Sequence, residues 1–171
     1  LAQAILVTPS RALALAVQRE VDLQRATLSR AAVLEASVAQ SRILLVADLE
    51  LAMEVSNAYA PEHLILQVRE PRRWLERVTN AGSVFLGDWT PEPMGDYCSG
   101  TNHVLPTYGH ARAYSGLSLL DFVKRITVQE ITPAGLLDLG PTAATLAGLE
   151  GLDAHAGAVT RRLAVLRDGQ P

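Results

Sequence analysis

"RILLVADLELAMEVSNAYAPEHLILQV", residues 42–68, decides the fold. It opens on an apolar run, Ile43 to Ala47, too short for a buried helix and unrelieved by any polar residue, which is how a strand covered on both faces reads. Asp48 then offers a side-chain oxygen to the free amides of a helix start, and "LELAMEVSNAYA" (49–60) runs on until Pro61 ends it. "LILQV" (64–68) returns to an apolar run. Strand, helix and strand in such close succession are the signature of a βαβ unit.

Working outward, the same alternation repeats. "AILVT" (4–8) is a short β-branched run stopped by Pro9, and Ser10 is placed to cap "RALALAVQREVDLQRATL", where Leu13, Val17, Val21 and Leu28 recur at helical spacing. A second helical patch covers 30–40. On the other side, "PRRWLERVTN" is a short helix with Pro71 at its start, and "GSVFLG" (82–87) is a fourth strand. The expectation is an α/β fold with an incomplete Rossmann-like, mostly parallel sheet and helices packed on it.

From Asp88 to about Gly116 turn formers dominate and no periodicity survives. Irregular segments of that length inside a domain are usually functional or disordered. Trp89, Met94, Tyr97, Val104, Leu105, Tyr108 and Tyr114 provide apolar anchors that argue against disorder. A helical turn "LSLLDFVKR", a strand-like "ITVQEIT" and helical stretches at 133–150 and 153–168, broken at Gly151, complete the chain. These features predict an α/β domain over residues 1–117 and a small, mainly helical carboxyl-terminal appendage over 118–171. No internal repeat is visible.

With 171 residues, 49% of them hydrophobic, the chain can bury a core. A net charge of −3 with scattered Lys and Arg leaves no electrostatic footprint for nucleic acid. No apolar run reaches the ~18 residues of a membrane span, and the opening "LAQAILVTPS" lacks the basic flank of a signal peptide. A start on Leu1, directly before a strand, reads as a piece of something longer. Cys98 is the single cysteine, which excludes an internal disulfide and suits a reducing, cytoplasmic compartment.

Three of the four histidines have acidic company. "YAPEHL" sets Glu62 beside His63 just before a strand, in the region where α/β proteins build their sites. Neighbouring side chains point apart, so the two can serve separate steps as general bases. "GDYCSGTNHVLP" offers Asp96 and His103, ligand types that Zn²⁺ accepts, on a glycine-relieved backbone. "LEGLDAHAGAVTRRL" brings Glu150 and His155 to a helix start that Asp153 can cap. Spacing alone leaves a plainer reading open at each place: a surface turn with a capping Glu, a loop whose Asp and Asn cap its own turns, and a solvated His in a first helical turn. His110 lacks an acidic companion and reads as structural or exposed, and Cys98 reads as a small loop residue. No GxGxxG, P-loop or CxxC is present.

Longer stretches carry more information than spacing. Through "NAYAPEHLILQV", "TNAGSVFLGDWTPEPMGDYCSGTNHVLPTYG", "SLLDFVKRITVQEIT" and "EGLDAHAGAV" the sequence closely resembles the carboxyl-terminal part of the histidinol dehydrogenases, over essentially its whole length. That family completes histidine biosynthesis: it oxidises L-histidinol through L-histidinal to L-histidine, passing two hydrides to NAD⁺ (the NAD cofactor), with Zn²⁺ (Zn2+) holding the substrate. The resemblance implies that His63 takes the alcohol proton and that Glu62 activates water for the aldehyde step. It implies that Asp96 and His155 are zinc ligands, and that His63, Asp96, His103 and Glu150 contact the substrate. It leaves the NAD contacts unassigned. It also implies a homodimer in which the appendage of one subunit, with Glu150 and His155, completes the site of the other.

Two further zinc ligands of the family, a Gln and a His in a "QAEHG"-like stretch, belong upstream of Leu1 and are not in this sequence. Half a metal site therefore implies little or no dehydrogenase activity for the 171 residues alone. Two other readings are compatible with the residues. One is a non-catalytic Rossmann-like remnant kept for dimerisation or small-molecule binding; the other, a metal-dependent hydrolase, would need a full ligand set within the chain.

Overall fold

The structure, a computed structural model, describes residues 2–169. The elements run β1 (Ile5–Thr8), α1 (Arg11–Arg25), α2 (Ala31–Gln40), β2 (Arg42–Leu45), α3 (Leu49–Tyr59), β3 (His63–Leu66), α4 (Pro71–Leu75), β4 (Ser83–Leu86), α5 (Glu92–Tyr97), α6 (Pro133–Leu149) and α7 (Asp153–Arg167), with 3₁₀ turns at His110–Arg112 and Leu119–Phe122. The α/β expectation holds, since helices connect strands that pair in parallel.

The pairing itself is simpler than one sheet. Among the described residues the strands form two parallel pairs, β1 with β2 and β3 with β4. In the first, Ile5 faces Arg42 and Thr8 faces Leu45; in the second, His63 faces Ser83 and Leu66 faces Leu86. Sequence alternation could not reveal this division, because the strand-to-strand gap at α3 looks like any other crossover.

The local chemistry follows the sequence closely. Ser10 Oγ accepts from the Leu13 amide at 3.2 Å, and Asp48 Oδ1 accepts from the Leu51 amide at 2.8 Å, each satisfying a donor that the first helical turn leaves free. Before Pro61, α3 stops on Ala60, which takes a left-handed conformation with φ 56° and is almost wholly buried. Met53, Ala60, Leu66 and Phe85 are the buried apolar residues around this turn and the β3–β4 pair.

Several expectations need correction. The run at 42–47, read as a buried strand, forms β2, whose four residues are all exposed, with Leu45 52% accessible. β2 bonds only to β1 among the described residues, and its Ile43, Leu44 and Leu45 keep 36%, 37% and 52% of their surface exposed. The strand-like 126–132 carries no strand: it is irregular and pairs with no strand among the described residues, with Val128 89% exposed, because a β-branched pattern without a neighbour has no ladder to join. The irregular segment 88–116 contains a true helix, α5, started by Pro91. Leu152, not Asp153, occupies the N-cap of α7, and Asp153 is its first residue.

By internal contacts the chain divides after Val123. The first unit contains β1 to α5 and the loop that follows. The second, from Lys124 onward, is the α6–α7 hairpin with its leading segment; here Gly140 lets the Leu163 side chain pack against α6, and a Cβ at Gly140 would lie 3.0 Å from Leu163 Cδ2.

Candidate active site

The site grows from the β3–β4 pair. The Gly82 amide donates to the Pro61 carbonyl and the Ser83 amide to the Glu62 carbonyl, both at 2.9 Å, so the peptide that carries Glu62 and His63 is pinned by main-chain bonds. Only glycine permits this approach: a Cβ at Gly82 would sit 2.5 Å from the Glu62 carbonyl oxygen. His63 is the first residue of β3, half-buried, with its ring 6.0 Å from that of Phe85.

Opposite it stands α5. Glu92 and Asp96 lie four residues apart and share one helix face. The helix comes close because Gly95 rests on the Phe85 ring: a Cβ there would lie 2.5 Å from Phe85 Cε1. Thr101 Oγ1 donates to the Gly95 carbonyl at 3.0 Å, tying the following loop back onto the helix.

The outcome is a trio. Glu92 Oε1 lies 3.4 Å and Asp96 Oδ1 3.8 Å from His63 Nε2. His63 Nε2 is buried without a hydrogen-bond partner, and one ligand-capable atom from each of the three residues falls within 4.8 Å of the others. Burial raises the pKa of the Glu92 carboxyl above its ordinary value, assisted by the Asp96 charge, a hydrogen bond shared with Asp96 and the Glu62 charge; His63 pulls the other way.

This donor set fits a divalent cation. An imidazole nitrogen without a partner beside hard carboxylate oxygens is the mixture that Zn²⁺ takes, although a full site needs about four ligands and the trio offers fewer. Without a cation the same arrangement supplies a base flanked by negative charge.

The predicted residues are only partly brought together. Glu62, His63 and Asp96 belong to one locality, since the Glu62 charge acts on Glu92, which touches the other two. His103 lies exposed in the loop just past Thr101. Glu150 caps the carboxyl end of α6 and His155 sits in the first turn of α7, both exposed and both in the second unit. Sequence reasoning missed Glu92. The pattern "PEPMGD" held the clue, a helix-starting proline followed by carboxylates one turn apart.

The family model described as histidinol dehydrogenase matches residues 1–163. The chain belongs to the histidinol dehydrogenase family. A histidinol dehydrogenase from Xanthomonas campestris pv. campestris (strain 8004) is 58% identical over 163 residues, covering 95% of this chain and 38% of that protein. One from Yersinia pestis is 54% identical over 166 residues, covering 97% of this chain and 38% of that protein. The crystal structure of histidinol dehydrogenase from Elizabethkingia anophelis superposes with a TM-score of 0.93 at 42% identity, over 96% of this chain and 38% of that one. The chain thus spans 38% of the length of these family members.

Proposed function

We infer that the chain is the carboxyl-terminal part of an L-histidinol dehydrogenase, the cytoplasmic, zinc- and NAD-dependent enzyme that oxidises L-histidinol through L-histidinal to L-histidine. The observation that carries this reading is the His63 imidazole held between Glu92 and Asp96 next to Glu62, in a chain of this family.

His63 takes the hydroxyl proton as the carbinol carbon gives up its hydride. An imidazole suits that task near neutral pH, because its unperturbed pKa is about 6.5. Glu62, on the adjoining residue and aimed elsewhere, takes a proton from the water that adds to the aldehyde. Asp96 and His155 are the zinc ligands of this chain, and His103, Glu150, Asp96 and His63 face the substrate. Zn²⁺, held in part by Asp96 and His155, would supply an anchor for the substrate, and NAD⁺ would supply the hydride acceptor. The remaining ligands and the NAD contacts fall to the part of the protein outside these residues. The enzyme acts as a homodimer, with Glu150 and His155 serving the partner's site.

The test is histidinol-dependent NADH formation by the zinc-loaded full-length protein. Glu62→Gln and His63→Asn each lower turnover by about 10²–10⁴-fold, the range of a lost general base, and the 171 residues alone turn over little or not at all. Robust NADH formation by the isolated chain, or unimpaired variants, overturns the reading.

A further inference from the structure

We propose that Glu92 is a positioning residue for the His63 base: its carboxylate fixes the imidazole ring and balances the positive charge the ring acquires with the alcohol proton. This rests on the functional reading above. The nearest carboxylate oxygen to His63 Nε2 among the described residues is Glu92 Oε1 at 3.4 Å, and Asp96 Oδ1 stands farther off at 3.8 Å. Nε2 is buried and makes no hydrogen bond, so the ring has no other anchor at that atom.

The two carboxylates divide the work by commitment. Asp96 is the zinc ligand, and lone pairs given to a cation are poor acceptors for an imidazolium beside it. Glu62 is given to the water step. Glu92, which also shares a hydrogen bond with Asp96, is then the carboxylate nearest the ring, and it reaches His63 from one turn earlier on α5, on a separate stem. A base whose ring is aimed and charge-balanced by a third group is a recurrent catalytic arrangement, and its contacts tighten when substrate enters. The one-turn offset also explains why both acids are on this short helix: a single face presents one oxygen to the metal and another to the base.

The experiment is a double-substitution cycle in the zinc-loaded full-length protein. Glu92→Gln lowers kcat for histidinol oxidation by about tenfold or more, leaves KM for histidinol within about twofold and retains zinc at the wild-type stoichiometry. In a His63→Asn background the same substitution lowers the residual kcat by less than about twofold, because there is no ring left to position. Unchanged kcat, an equal loss in both backgrounds, or loss of zinc overturns the proposal; the last would make Glu92 a metal ligand. Should Glu92→Gln fail to fold, Glu92→Asp, which keeps the charge but retracts it, takes its place in the cycle. A wild type with no histidinol-dependent turnover overturns the functional reading and this proposal together, whereas an active wild type with an unimpaired Glu92→Gln overturns this proposal alone.

Discussion

Gly95 is a position where two rules of thumb give opposite signs. Alanine is the better helix former by up to about 1 kcal/mol, so Gly95→Ala would stabilise an isolated α5. The added methyl, however, would meet the ring of Phe85, which is 4% exposed and has nowhere to go. Overpacking of this kind costs about 1–3 kcal/mol, so the contact prevails and Gly95→Ala lowers the urea midpoint. It also pushes Glu92 and Asp96 away from His63, since all three meet through that approach. At this scale dense matching stretches singled out Glu62, His63 and Asp96, and the structure sets the three in one locality. Glu92 was not, because Pro91 and Pro93 make α5 look like a loop, and the contact that gives Glu92 its partner crosses from one element to another.

Between elements, Asn57 is the joint. Its Nδ2 donates to the Arg77 carbonyl at 2.8 Å and its Oδ1 accepts from the Thr79 amide at 2.9 Å. Its own carbonyl accepts from Asn80 Nδ2 at 2.9 Å. Asn57 thus clamps the end of α3 to the loop that leads into β4. Asn57→Ala removes the bonds to an exposed loop amide and an exposed loop carbonyl, which water can take over, so each lost bond costs about 0.5–1.5 kcal/mol in a urea titration. The alternation of strands and helices, and the caps at Ser10 and Asp48, could be read in advance because each depends on residues close in sequence. The exposure of β2 and the lack of a strand at 126–132 could not, since both turn on whether another segment lies alongside.

For the whole molecule, the described residues form two units, and the trio of His63, Glu92 and Asp96 lies in the first. If the second unit serves the partner subunit, His155 and His63 of one chain work in different sites. Mixing full-length His63→Asn and His155→Asn proteins, each inactive, then yields hybrid dimers with one intact site, and turnover recovers to about a quarter of wild type for random exchange between dimers. No recovery after verified subunit exchange means that each chain completes its own site. Leu13 and Leu15 of α1 and Leu45 of β2 keep about half of their surface exposed among the described residues.

The main-chain clamp from Gly82 and Ser83 onto Pro61 and Glu62 has a practical corollary. Because that clamp holds the backbone without help from either side chain, a doubly substituted protein, Glu62→Gln with His63→Asn, keeps the main-chain shape of the turn that carries them. On the proposed reading it would serve as a crystallographic snare, retaining unoxidised reactant long enough for its pose to be photographed.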